Sequence, residues 1–270
     1  DGEITEFINE INKTVQEHPI LVDKYMLGKE LEVDAICDGE DILVPGIMEH
    51  LERAGVHSGD SISVYPTQNI SEEHQKKIVE YTTKIAKELK VIGVLNIQFI
   101  ISGGEVYIIE VNPRSSRTVP YISKVTNLPV IDVATRVILG EKLKDMGYGT
   151  GIYKKSQYIA IKMPVFSFEK IKNADTSLGP EMKSTGEVLG VSKNFSDAIV
   201  KAFIATGITI PKKGNVLITV RDKDKDEMLP LAKKLYNRGF GIYATKGTAT
   251  LLRNNGIEVN VVEKIWEGAE

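Results

Sequence analysis

Ile109-Glu110-Val111-Asn112-Pro113-Arg114 is the stretch on which the reading of this chain turns. Residues two apart on a strand project from one face, so Glu110 and Asn112 point the same way. A carboxylate beside an amide oxygen is a hard-oxygen pair suited to Mg²⁺ or Mn²⁺, ions that commonly share their shell with phosphate. Pro113 ends the strand and brings Arg114 just past it, where a planar guanidinium can grip an anion. Arg117 follows shortly after. The partner strand over 95–101 carries Gln98, and register decides whether Gln98 joins them. A two-residue turn at Gly103-Gly104 pairs Gln98 with Ile109, whereas a three-residue loop, Gly103-Gly104-Glu105, pairs it with Glu110. The three-residue loop is expected, because it gathers Asn96, Gln98, Glu110 and Asn112 on one polar face. Ile97, Phe99, Tyr107, Ile109 and Val111 then form the apolar face.

Upstream, residues 3–17 carry helical periodicity that His18-Pro19 stops, and 20–25 read as a strand. Leu31, Val33, Ala35 and Cys37 alternate with Glu30, Glu32 and Asp34, the period of a half-buried strand, and Asp38-Gly39 turns the chain into a second strand over 42–48. Ser71 is a fair N-cap for a helix over 71–89. Helical periodicity returns over 129–139 and 195–206. Antiparallel hairpins plus helices make this part α+β. From Gly214 the pattern becomes strand (215–220), helix (223–237), strand (241–244), helix (246–254) and strand (259–262), an α/β order that predicts a small parallel sheet. The boundary is expected near 206–213, giving domains 1–206 and 207–270.

The 270 residues carry a formal net charge of −3 with 42% hydrophobic and 26% charged residues, an ordinary globular composition with no basic footprint for nucleic acid. No apolar run approaches the roughly 18 residues of a transmembrane helix. The single cysteine, Cys37, excludes an internal disulfide. A cytoplasmic setting is expected, with neither nucleic acid nor membrane as partner. The start at Asp1 and the stop at Glu270, soon after a strand, suggest a piece of a longer protein.

The central run resembles the metal-binding signature of the ATP-grasp superfamily, and its flanks narrow the resemblance to carbamoyl-phosphate synthetases. The residues that carry it are Gly46-Ile47-Met48-Glu49-His50, Gly55-Val56-His57-Ser58-Gly59-Asp60-Ser61, Glu110 through Pro120, and Leu178-Gly179-Pro180-Glu181-Met182-Lys183-Ser184-Thr185-Gly186-Glu187. The resemblance spans essentially the whole chain, matching the C-terminal synthetase half of the large subunit. It implies a partial ATP-grasp unit, lacking its glycine-rich lobe, that phosphorylates carbamate with ATP and Mg²⁺ or Mn²⁺ for pyrimidine and arginine biosynthesis. It further implies that the piece alone is inactive. In that family Gln98, Glu110 and Asn112 match the metal ligands, Gln98 and Glu110 also facing the nucleotide. Arg114 matches an arginine that steadies the transferring phosphate, supported by Arg117. Lys24 and Met26 match the adenine-lining segment, Glu30 the ribose acceptor, and Gly55, Val56, His57 and Ser58 a loop beside the nucleotide.

The resemblance also implies regulation. Glu52 and Asp60 match positions associated with the activator ornithine, while a third acidic position falls on Ala160 or Lys162. The C-terminal part resembles the start of a methylglyoxal-synthase-like regulatory domain. There Thr245 and Thr248, with Lys225 and Lys264 as charge partners, match contacts to nucleotide monophosphates such as UMP and IMP. Hydroxyls and free N–H groups where a strand opens into a helix suit phosphate. The implied partners are the remainder of the large subunit and the glutaminase small subunit. Another ATP-grasp carboxylate–amine ligase and a non-catalytic nucleotide-binding module are the alternatives.

Overall fold

The structure is a computed structural model that describes residues 2–13 and 22–264. It divides into two compact units, Asp1–Gly207 and Ile208–Glu270. The first opens with helix α1 (Gly2–Ile11), followed by strands β1 (Lys29–Asp38), β2 (Ile42–Val44), β3 (Ile47–His50) and β4 (Ser63–Tyr65). Helix α2 (Glu72–Glu88) leads to the hairpin of β5 (Ile92–Ser102) and β6 (Glu105–Asn112). Helices α3 (Val119–Thr126) and α4 (Val130–Ile138), strands β7 (Gly151–Ile152), β8 (Ile159–Val165) and β9 (Gly186–Ser192), and helix α5 (Phe195–Ala205) complete it. The strands form one sheet in the order β6-β5-β1-β3-β4-β8-β9, antiparallel throughout, with β2 beside β1 and β7 parallel to β2.

Cross-strand partners share a face, so the sheet sorts its residues by chemistry. On one face Leu31, Val33, Ala35, Leu95, Ile97 and Phe99 pack against α2 through Ile78 and Ala86. On the opposite face Ile36, Leu43 and Met48 pack against α3 and α4 through Ile122, Val133 and Val137. The rest of that face is polar, running from Asn112 and Glu110 through Gln98, Asn96, Glu32 and Asp34 to His50, Ser63 and Lys162.

Several local expectations need correction. Residues 14–21, which include the expected end of the first helix and the start of the next strand, lie outside the described residues. Residues 22–27 form no strand. Lys29 already pairs with Ile101, and only Ser102 of β5 remains beyond that rung, its hydroxyl donating to the Leu27 carbonyl at 2.7 Å. A run without a neighbour stays irregular. The expected strand over 42–48 is broken by Pro45 and Gly46 into β2 and β3. A Cβ at Gly46 would stand 2.2 Å from the Tyr65 ring, so the chain passes too close there for any side chain. Finally, β1 is not half-buried: Glu30, Glu32 and Asp34 are 8%, 2% and 0% exposed, because β3, β5 and the segments around 57–60 and 116–118 enclose the polar face.

In the second unit β10 (Asn215–Ile218), α6 (Lys225–Asn237), β11 (Gly241–Thr245), α7 (Lys246–Asn254) and β12 (Asn260–Val262) form the expected parallel sheet, ordered β10-β11-β12. Ile218, Ile242, Ala244, Ala249 and Leu252 make its core.

Candidate active site

The β5–β6 hairpin reaches the expected pairing by a different route. Gly103 (φ 59°) and Gly104 (φ 83°) form a two-residue turn in the left-handed region, with Ser102 opposite Glu105 and Phe99 opposite Ile108. A regular ladder would then set Gln98 against Ile109. Instead a bulge intervenes after Phe99, and Gln98 pairs with Glu110 and Asn96 with Asn112. The three-residue loop is therefore wrong, and Ile109 is the extra residue that restores the pairing. Bulges of this kind re-aim side chains beside functional sites. The correction extends to the apolar face: Tyr107 and Ile109 are 44% and 47% exposed and do not join it.

The three candidate ligands now touch. Gln98 Nε2 donates to Glu110 Oε1 at 2.9 Å and to Ser58 Oγ at 3.1 Å, and Asn112 Nδ2 donates to the same Glu110 oxygen at 2.8 Å. With both amide nitrogens turned toward Glu110, the amide oxygens of Gln98 and Asn112 and the second carboxylate oxygen face elsewhere. One carboxylate with two amides is a poor set for a thiolate- or imidazole-loving ion. It is a good one for a hard divalent cation that takes its other ligands from phosphate and water. The described residues hold no group of three His, Cys, Asp or Glu able to bind a metal. These residues line a cavity of about 240 Å³ together with Glu32, Asn96, His57, Ser58, Arg114, Arg117, Thr118 and Met182. His57 caps the short helical turn Ser58–Asp60, its Nδ1 accepting the Gly59 N–H at 3.0 Å.

Beneath the cavity lies a buried charged row whose role the alternation pattern concealed. His50, 1% exposed, sits with Nδ1 3.6 Å from Glu30 and Nε2 3.5 Å from Glu32. Burial opposes its charge, but Glu30 and Glu32 outweigh burial and raise its pKa. Burial likewise opposes the Glu32 charge, and His50 nevertheless holds that carboxyl below its usual range. Asp34 is pushed up to about 6 by burial and by the charge of Glu32. Its proton is therefore held more tightly in the folded chain than in the unfolded one. This favours folding below pH 4, and the advantage is lost as pH rises through 6. Relative to Asp34→Asn, the unaltered chain is expected to lose up to about 3 kcal/mol of stability between pH 4 and 6.5, read from urea midpoints at several pH values.

A second cavity, of about 560 Å³, gathers Lys24, Met26, Glu30 and Gly55 with Tyr107, Ile108 and Ile109, the residues the bulge exposes. Glu30 Oε1 accepts the Gly55 N–H at 3.0 Å, fixing the loop to β1. Val56, half-buried, lines neither cavity. Glu52 and Asp60 are committed internally. Glu52 Oε2 accepts the Ile62 N–H at 2.7 Å, and Asp60 accepts the N–H groups of Lys183 and Ser184, each at 2.8 Å. Burial would raise the Asp60 pKa, but the bonds from Ser184 and Lys183 hold it below the usual range. Of the two candidates for the third acidic position, Ala160 is buried and apolar. Lys162 is 1% exposed, and its ammonium donates to the Ser58 carbonyl at 3.0 Å.

In the second unit, Lys225, Thr245, Thr248 and Lys264 line one cavity of about 460 Å³ with Thr219, Arg221 and Gly247. Thr245 is the N-cap residue of α7, with its hydroxyl 3.1 Å from that of Thr219, and Lys225 pairs with Asp222 at 2.6 Å. Sequence reasoning missed Asp34, His50, Asn96's neighbours on β1, Thr118 and Thr219. For the β1 acids, the alternation that flagged a polar face said nothing about what covers it.

Comparisons with known proteins place the chain among relatives. The profile "MGS-like domain" matches residues 227–270. The carbamoyl phosphate synthase large chain of Lachnoclostridium phytofermentans is 61% identical over 98% of this chain and 25% of its own. That of Clostridium botulinum (strain Langeland) is 56% identical over 99% of this chain and 25% of its own. The chain thus spans about a quarter of the length of the curated relatives it matches. Among solved structures, N5-carboxyaminoimidazole ribonucleotide synthetase from Thermotoga maritima shares the fold, with a TM-score of 0.53 at 16% identity over 74% of this chain and 56% of that one. The architecture is a partial ATP-grasp unit followed by part of a small parallel α/β domain. The profile "Carbamoyl-phosphate synthase L chain, ATP binding domain" matches residues 3–146, more than half of the sequence and all of the hairpin that carries the candidate ligands, and the chain belongs to that family.

Proposed function

We propose that this chain forms the phosphate-transferring part of a ligase that uses ATP to convert carbamate to carbamoyl phosphate, at the entry to pyrimidine and arginine synthesis. The supporting observation is a single cavity that brings Gln98, Glu110 and Asn112 together with Arg114 and Arg117. A divalent cation held by the first three would offset the charge of the β- and γ-phosphate oxygens. Arg114 and Arg117 grip the transferring phosphoryl group, and the His57 ring and the Ser58 hydroxyl orient it. Lys24, Met26 and the exposed Tyr107, Ile108 and Ile109 supply a wall suited to a purine. A carbamate oxygen forms the new bond to the γ-phosphorus as the bond to ADP breaks. No side-chain nucleophile is required, and positioning with charge neutralisation does the chemistry.

The further partners of this reading are the rest of a large chain and a glutaminase small subunit that supplies ammonia. The second unit's threonine–lysine cavity supports binding of the phosphate of UMP or IMP. Ornithine has the least support, since Asp60 is fully engaged by backbone N–H groups and Lys162 places a cation among the acids.

Calorimetric titration of the 270-residue chain with ATP and Mn²⁺ tests the main reading. Binding is expected without turnover, because among the described residues no second set of phosphate-holding side chains lines the cavity opposite the first. Arg114→Ala and Arg117→Ala are each expected to weaken binding about tenfold. ATP affinity untouched by the double substitution overturns the reading.

A further inference from the structure

Among the described residues, Asp34 is the fully buried carboxylate of the polar face that touches both halves of the site through other side chains, and it belongs to no part of the motif that defines that site. It is 0% exposed. Its Oδ1 accepts from Asn96 Nδ2 at 3.0 Å, and its Oδ2 accepts from Thr118 Oγ1 at 2.6 Å. Each contact leads onward. Asn96 Oδ1 lies 3.4 Å from Asn112 Nδ2, the nitrogen that also donates to Glu110. Thr118 is tied to Ser116, whose Oγ stands 2.7 Å from Thr118 Oγ1 and accepts the Thr118 N–H at 3.1 Å. Arg117 sits between those two residues.

We propose that Asp34 is a positioning residue for both halves of the site: through Asn96 it turns the Asn112 amide, and through Thr118 it holds the turn that carries Arg117. The physical basis is enclosure. A buried carboxylate accepts strong, short hydrogen bonds, and the groups that donate them lose the freedom to point elsewhere. Outer partners of this kind commonly change ligand affinity by about 10–100-fold when removed. The inference rests on the phosphate-transfer reading above, since it assigns a purpose to residues that reading places in the site.

The two arms can be cut separately. Mn²⁺ alone, followed by the electron paramagnetic resonance signal of the free ion, reports on the Asn112 arm. Inorganic pyrophosphate, followed by calorimetry, reports on the arginine turn. With the 270-residue chain, Thr118→Val is expected to weaken pyrophosphate binding about tenfold and leave Mn²⁺ affinity unchanged, and Thr118→Ser is expected to restore it. Asn96→Ala is expected to weaken Mn²⁺ binding and spare pyrophosphate. Asp34→Asn is expected to weaken both. Should Asp34→Asn fail to fold, the two single-arm variants still decide the matter. The proposal is overturned if Thr118→Val and Asn96→Ala lower both affinities equally, the mark of a merely structural role, or lower neither, or if Thr118→Ser behaves like Thr118→Val. If the unaltered chain binds neither probe, the phosphate-transfer reading fails and this proposal with it.

Discussion

Glu110→Ala is expected to lower the affinity of this chain for Mn²⁺ by at least about a hundredfold while leaving its fold intact. Glu110 is the one charged member of the three proposed ligands, and both amide nitrogens, from Gln98 and Asn112, are turned toward its Oε1. Removing it takes away the negative charge that makes the cluster attractive to a divalent ion. It also removes the acceptor that holds the two amides with their oxygens directed away from it. The side chain is exposed and its strand is paired on one side by β5, so stability is expected to change by less than about 1 kcal/mol. Electron paramagnetic resonance titration of free Mn²⁺ against the variant, with thermal unfolding alongside, checks both halves. Wild-type affinity in a folded variant removes Glu110 from the site.

Lys162→Met is expected to cost about 3–5 kcal/mol of stability, because it removes one partner of a buried charge cluster. The ammonium is buried among Glu32, Glu187, Glu52 and Asp60, and it donates to the Ser58 carbonyl. Burial lowers the Lys162 pKa, and the four carboxylates act against that shift. Methionine fills similar volume but takes away the one ammonium that faces all four carboxylates, leaving His50 as the cation beside Glu32. Burial raises the pKa of both Glu52 and Glu187, so mild acid neutralises them first. The difference between the variant and the unaltered chain should therefore narrow as pH falls from 7.5 to 5. Guanidinium unfolding at the two pH values measures it. A stability difference that is absent at pH 7.5, or that widens in acid, shows that the four acids do not depend on Lys162.

Both substitutions bear on how legible the molecule is from its sequence. The long periodic elements were readable: the helix opened by Ser71, the helices at Val130–Ile138, Phe195–Ala205 and Lys246–Asn254, and the alternating order of the second unit. Each carries its period over several turns or strands, so local geometry suffices to reveal it. Short strands such as Ser63–Tyr65 were not readable, because three residues cannot display a period. The strand expected over 20–25 failed in its described part for the opposite reason. An apolar run is only half of a strand, and the other half is a neighbour with free backbone groups.

The hairpin shows the division most clearly. Glu-x-Asn-Pro-Arg announced oxygen ligands, a strand end and an anion-gripping arginine, because those follow from side-chain chemistry and the fixed geometry of proline. That Gln98 had to join Glu110 also followed from requiring one polar face. How it does so did not. The tight Gly103-Gly104 turn and the bulge at Ile109 are two departures from a simple ladder that compensate each other, and a bulge leaves no mark in composition or period. The burial of Glu30, Glu32 and Asp34 was equally invisible. It arises when β3, β5 and the loops around His57 and Thr118 close over β1, from Met48 opposite Glu32 to Thr118 bonded to Asp34 more than 80 residues away. The sequence by itself determined the long periodic elements, the side-chain chemistry of the site and the family. The tertiary structure decided which carboxylates face the cavity and which are locked inside, because solvent exclusion is a property of many segments meeting and of no segment alone.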